Sequence, residues 1–177
     1  WVNDTTNVYR IFDGRLTYNK GAAVAHMLRY IAPYDSLYFV GLRAYQQQYK
    51  YGTAVTADLQ QVMQQTYGKP LDSFFRQWIY GQGYPTFSVK WAQYLGMTLV
   101  KVTQTTSHPS VKAFQIPLQL KLNTANGDTT VTINITDTAN YLKFNWGDII
   151  TTVVVDPENH IINKTGTTQY DPNLLSI

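Results

Sequence analysis

The sequence predicts an α+β protein in which an all-helical segment of about four helices precedes an antiparallel β-sandwich. Apolar residues recur at helical spacing from Tyr18 to about Tyr80. Beyond Gly83-Tyr84-Pro85 the alternation becomes two-fold, and turn signals then recur between short apolar runs. The change of period divides the chain into a helical part, 1–83, and a sandwich, 84–177.

The first helix is read from LTYNKGAAVAHML, beginning at Leu16. After a polar, turn-like entry it is nearly free of charge. Gly21, Ala22, Ala23 and Ala25 permit close approach, while Val24, Met27 and Leu28 bury it, so a core-anchored helix with Tyr18 in its first turn is expected. Asp35, after Pro33, is placed to cap a second helix through about Lys50. Thr56 is placed to cap a third, with Leu59, Val62 and Met63 on one side and Gly68 at its end. Pro70 suits the first turn of a fourth, whose stripe of Leu71, Phe74, Phe75, Trp78 and Ile79 stops at Gly81-Gln82-Gly83.

In the second half Phe87, Val89 and Trp91 alternate with polar residues. Phe114, Ile116, Leu118, Leu120 and Leu122 do the same, with Gln115, Gln119 and Lys121 on a wet face. Pro117 cannot donate to a ladder, which predicts an edge position or a bulge. Asn126-Gly127-Asp128 reads as a hairpin turn before Val131, Ile133 and Ile135. Asp156-Pro157-Glu158-Asn159 reads as a second turn with TTVVV and HII as its arms.

Composition removes several classes of function. The formal charge is +3 with lysines and arginines scattered, so no nucleic-acid partner is expected. No apolar run approaches the roughly 18 residues of a spanning helix, so no membrane span is expected. Cysteine is absent, which excludes disulfides and thiolate metal sites. The chain starts at Trp1 with no signal-like segment, which points to a piece of something longer.

A zinc site on a helix needs two histidines four residues apart with a glutamate between them. The three histidines, His26, His108 and His160, are far apart, and the single glutamate, Glu158, falls in a turn. His26 reads as a hydrogen-bonded core residue and His108 as a loop residue. No serine lies in a glycine-flanked elbow. Asp156 and Asp171 each precede a proline and read as turn initiators rather than calcium ligands. Tyr18 remains, either as a packing aromatic or as a hydroxyl held still for chemistry. A phenol with an ordinary pKa of about 10 is protonated near neutral pH and can donate to developing negative charge. Lys20 reads as solvated and Gly21 as a packing residue; Arg10, Arg15 and Arg29 receive no recognition role.

TYNKGAAVAHML, from Thr17 to Leu28, resembles the Tyr-x-Lys-Gly-Ala segment of the M1 family of zinc metallopeptidases, the gluzincin aminopeptidases. DSLYFVGLRAYQQQYKYGTAVTADLQQVM, from Asp35 to Met63, is similar to the helix pair that follows in that family. LDSFFRQWIYGQGYPTFSV, from Leu71 to Val89, resembles the pattern that closes its catalytic domain and opens a β-domain. TQTT from Thr103, FQIPLQLKL from Phe114 and VVVDPENHII from Val153 resemble strands of that domain.

The resemblance implies that 1–83 is the C-terminal helical part of an M1-like catalytic domain and 84–177 the β-domain. In the family, zinc is held upstream by a HExxH motif and a later glutamate, and the free amine is read by Gly-x-Met-Glu-Asn. Neither motif occurs here. The resemblance therefore implies a chain that binds no zinc itself and is inactive alone. Its implied partners are the remaining N-terminal and catalytic domains of the parent chain, with a peptide substrate and zinc in the parent enzyme. Of the family's catalytic positions only Tyr18 is matched; the equivalent phenol stabilises the oxyanion formed when zinc-activated water attacks the scissile carbonyl.

The competing expectation is a non-catalytic β-sandwich module that binds carbohydrate or protein, or an inactive scaffold. Aromatic residues make up 14% of the chain, but a module needs an exposed ring platform, and Phe87, Trp91 and Phe114 fall on the apolar side of their strands.

Overall fold

The computed structural model describes residues 6–176. The chain divides into two compact units, one running up to Gly81 and the other from Gln82 onward.

In the helical unit a short helix, α1 (Val8–Ile11), is followed by a π-helical segment, Gly14–Asn19, that runs directly into α2 (Lys20–Tyr30). Then come α3 (Asp35–Tyr49), α4 (Thr56–Tyr67) and α5 (Asp72–Phe75), which continues as a second π-helical segment, Arg76–Tyr80. Met27 and Leu28 of α2, Val62 and Met63 of α4, and Phe75 and Trp78 of the last helix are buried together with Leu71 and Phe74. Gly41 lets α3 lie close over α4, because a Cβ there would come 2.5 Å from Met63 Sδ.

All four expected helix starts differ from expectation. The helix holding Tyr18 begins at Gly14, because the Asp13 carboxylate caps it by accepting from the backbone N–H groups of Arg15 (2.9 Å) and Leu16 (3.0 Å). The turn-like entry is therefore helical. At α4 the flanking residue is Val55, and Asp58 reaches back from the first turn to accept from its N–H at 2.8 Å, so Thr56 is not the cap. Pro70 lies outside the last helix, which Leu71 precedes.

Asp35 opens α3 but does not cap it. Its carboxylate instead takes a bidentate pair from Arg29 of α2, with Nη2 to Oδ2 at 2.9 Å, and the guanidinium also lies 5.0 Å from the Phe39 ring centre. The hydrogen bond from Arg29 holds the Asp35 carboxyl below its ordinary value of 3.8. A depressed folded-state pKa means that the stabilisation is complete above that ordinary value and is lost as pH falls through the folded one. Asp35→Asn should thus lower the melting temperature slightly at pH 6, and the difference from wild type should vanish in strong acid. A difference unchanged with pH would show that the pair's charge is irrelevant.

The far end of α2 is closed by side chains from and just after α4. Tyr67 donates its hydroxyl to the Leu28 carbonyl at 2.9 Å, and Lys69 Nζ donates to the Ile31 carbonyl at 2.6 Å. Burial pushes the Tyr67 phenol well above its usual range, so it remains a donor. Tyr67→Phe leaves that carbonyl without its donor and should cost about 1–2 kcal/mol in chemical denaturation. No change in the midpoint would mean that water replaces the hydroxyl.

Helix α2 is not apolar all round. Val24, Met27 and Leu28 are buried, but Gly21, Ala22 and His26 are exposed. Gly21 and Ala22 therefore do not serve close packing within this unit, whereas Ala23 and Ala25 are half-buried, and a Cβ on Gly21 would meet open space. His26 is likewise a surface residue rather than a core one.

The second unit is a sandwich of two sheets with strand orders β5-β2-β1-β7 and β4-β3-β6. The strands are β1 (Pro85–Tyr94), β2 (Met97–Thr106), β3 (Ile116–Thr124), β4 (Gly127–Ile135), β5 (Ala139–Asn145), β6 (Ile150–Val155) and β7 (Lys164–Tyr170). Phe87, Val89 and Trp91 of β1 face the core with Ile116, Leu118, Leu120 and Leu122 of β3, as the alternation predicts. The hairpin between β3 and β4 turns through Ala125 and Asn126, one residue before the expected position, with Gly127 opening β4.

All strand pairs but one are antiparallel; β7 lies parallel to β1. The cause is the segment after β6. Asp156 is 4% exposed, and its carboxylate accepts from the N–H of His160 (2.8 Å), the N–H of Ile161 (3.0 Å) and Asn163 Nδ2 (2.8 Å). Those donors are thereby removed from any ladder, so His160 to Ile162 form no strand and the chain passes to the other sheet.

Phe114 is buried but also lies outside a strand. Its N–H donates to Gln104 Oε1 at 3.0 Å and its carbonyl accepts from Gln104 Nε2 at 3.1 Å, so a side chain takes the place of a ladder. Pro117 sits in the middle strand of its sheet, yet β6 pairs with β3 only from Leu120 to Thr124. At Pro117 the ladder is therefore one-sided, as a missing N–H requires.

Candidate functional site

Tyr18 is the fifth residue of the π-helical segment and is 59% exposed. Its backbone is fixed from both directions. Asp13 caps the start, the Thr17 N–H donates to the Asp13 carbonyl at 2.9 Å, and the Thr17 hydroxyl donates to the Ile11 carbonyl. Toward the C-terminus the segment merges with α2, whose Met27 and Leu28 are locked in the core. A wide π turn inside a longer helix recurs at functional sites because it re-aims a side chain at the expense of regular hydrogen bonding. The phenol is thus held at its base and open at its tip.

The electrostatics around it are modest. Backbone N–H donation from Leu16 leads the effects that hold the Asp13 carboxyl below its ordinary value, so the cap is ionised near neutral pH. Burial pushes the Lys20 ammonium below its usual value. Lys20 is half-buried rather than solvated as expected.

A groove of about 690 Å³ opens within the helical unit. Leu16, Thr17, Lys20 and Gly21 form one wall, and Leu42, Tyr45 and Phe74 contribute to the others. Tyr18 is not among its lining residues, so the structure brings the neighbours of the phenol to the groove but not the phenol itself. Sequence reasoning missed this groove because four helices build it, and no single segment carries a signal for it.

Among the described residues no group of three or more His, Cys, Asp or Glu side chains is placed to hold a metal ion. His108 lies in a loop against Ser110, with Nδ1 3.0 Å from Oγ. Asp171 accepts from Lys90 Nζ at 2.8 Å and from the Asn173 N–H at 3.1 Å, which leaves it a structural residue. Arg29 is spent on Asp35. No helix among the described residues is long and apolar enough to cross a membrane.

The profile of the peptidase family M1 domain matches residues 1–78, which contain the capped π turn, Tyr18 and the helices that follow. Through this segment, a little under half of the chain, the sequence is similar to peptidase family M1. The chain is also similar to aminopeptidase N of Lactococcus lactis, 32% identical over 89 residues, and to tricorn protease-interacting factor F2 of Thermoplasma acidophilum, 33% identical over 88. Each alignment covers 50% of this chain but only 10% and 11% of the respective relative. A crystal structure of Legionella pneumophila aminopeptidase A in complex with aspartic acid superposes on 91% of this chain and 19% of its own, with a TM-score of 0.72 at 14% identity. At that identity the likeness speaks for the fold alone. The chain spans about a tenth of the length of these two curated relatives.

Proposed function

We propose that this chain is the part of a zinc-dependent M1 aminopeptidase that supplies the hydroxyl of Tyr18 to the hydrolysis of N-terminal peptide bonds, together with a β-sandwich domain. The observation that carries the reading is the phenol itself: exposed, in the motif Thr17-Tyr18-Asn19-Lys20-Gly21, on a backbone capped at one end and anchored in the core at the other. A fixed O–H donor stabilises the oxyanion that forms when water adds to a peptide carbonyl, and it contributes most when its position is set before the reaction begins.

Zinc would supply the activated water, and residues outside this sequence would hold it, since HExxH is absent from the 177 residues. Among the described residues no group of three or more His, Cys, Asp or Glu side chains is placed to hold a metal ion, and in this reading the chain donates a hydrogen bond and presents surface to the remaining domains of the peptidase. The 177-residue chain alone, with zinc added, should leave aminoacyl-p-nitroanilides intact. Zinc-dependent turnover by the chain alone would contradict this division of labour.

The burial of Phe87, Trp91 and Phe114 disfavours the binding-module alternative. On the outward face of the four-stranded sheet the register places Ser88 and Lys90 of β1, Lys101 and Thr103 of β2, and Tyr141 of β5. Tyr94 of β1 falls on that face as well, but the two rings, Tyr94 and Tyr141, stand on strands separated by β2 and four ladder positions apart rather than in a row.

A further inference from the structure

The groove of the helical unit has a chemistry that the peptidase reading does not use. Its lining is largely apolar, with Val24 and Leu28 from α2, Leu42 from α3, Leu59 from α4 and Phe74 from α5. Its volume of about 690 Å³ lies within the range of roughly 300–1,000 Å³ typical of small-molecule sites.

Lys20 is the one cation in that lining. Among the described residues it makes no ion pair. Nor, among the described residues of the unit, is a carboxylate left without another partner. Asp13 caps its own helix, Asp35 holds Arg29, Asp58 accepts from the Val55 N–H and Asp72 accepts from Gln60 Nε2. A half-buried ammonium beside apolar walls is costly, and burial indeed depresses its pKa. An anion entering with a ligand would offset that cost, whereas a neutral ligand would not.

We propose that this groove is a binding site for a hydrophobic monocarboxylate, whose hydrocarbon lies among Val24, Leu28, Leu42, Leu59 and Phe74 and whose carboxylate pairs with Lys20. The pairing of one cation with a long apolar wall selects a single-headed acid over a polyanion or a sugar. Thr17, Tyr38, Tyr45 and Thr56 are the hydroxyl-bearing residues of the lining.

The test is calorimetric titration of the protein with octanoate and, separately, with 1-octanol, which shares the hydrocarbon but lacks the charge. Octanoate should bind saturably at one site, at least about tenfold more tightly than the alcohol, on the usual strength of a charge-assisted contact. Lys20→Met should bring octanoate down to the level of the alcohol without changing the alcohol, and Lys20→Arg should restore the preference. Equal affinity for acid and alcohol in the wild type, an unchanged octanoate affinity in Lys20→Met, or no saturable binding of either at millimolar concentration would each overturn the proposal. Circular dichroism of each variant distinguishes lost binding from lost folding, and Lys20→Arg keeps the question open to measurement if Lys20→Met unfolds.

Discussion

Replacing Tyr18 with phenylalanine in the complete peptidase should lower kcat by about a hundredfold or more while leaving KM and the melting temperature nearly unchanged. The split follows from what the substitution removes. Phenylalanine keeps the ring and its apolar contacts, and at 59% exposure the hydroxyl contributes little to the fold. In the proposed role, what disappears is one donor to charge that exists only in the transition state, so ground-state binding is spared. The magnitude depends on rigidity. A phenol on a mobile loop would spend part of its interaction energy on becoming ordered, but this one rises from a turn capped by Asp13 and continuous with the buried half of α2. Turnover close to wild type would assign Tyr18 to the surface.

The largest effect on stability is expected from Asp156→Ala in the sandwich, which should destabilise it by roughly 3 kcal/mol or more in urea unfolding. One buried carboxylate satisfies the N–H groups of His160 and Ile161 and the amide of Asn163. Truncation strands all three donors in a segment that has no ladder to receive them. It also leaves alanine at a φ of +48°, a conformation that aspartate tolerates better. Asp156→Asn retains one oxygen and should fall between wild type and alanine. If Asp156→Ala unfolds at the wild-type midpoint, the donors find water, and the crossing of the chain from β6 to β7 has another cause.

Much of the fold is legible in the sequence where burial is one-sided and long. The stripes Val62-Met63 and Leu71 to Trp78 mark helices because those faces meet a core, and Gly68, at a φ of +63°, marks an end because few other residues adopt that backbone. Where side chains replace backbone partners, pattern reading fails. Phe114 alternates correctly with β3 but is bonded to Gln104, and His160 to Ile162 look like an arm of a hairpin but serve Asp156.

The hairpin from β1 to β2 carries no Asn-Gly signal, since Leu95 and Gly96 take the two positive φ values themselves, +47° and +77°. Strand β7, KTGTTQY, has no apolar alternation at all; it is a sheet-edge strand that β1 specifies through its ladder. At the site the motif around Tyr18 is readable, but the helix begins four residues earlier than its apolar stretch, because Asp13 caps a segment whose residues do not face a core. The exposure of Gly21, Ala22 and His26 has the same origin: helical spacing announces a face suited to packing, and this unit covers only the Val24-Met27-Leu28 side of it.

The central claim is that the Tyr18 hydroxyl recognises a tetrahedral, negatively charged centre rather than the substrate at rest. It is tested most directly by the affinity of the complete peptidase, with and without Tyr18→Phe, for a phosphinic pseudo-peptide that mimics that centre and for a product amino acid that does not. The account predicts that the variant loses about a hundredfold in affinity for the phosphinic compound and almost nothing for the amino acid. Equal losses for both ligands, or none for either, would contradict it.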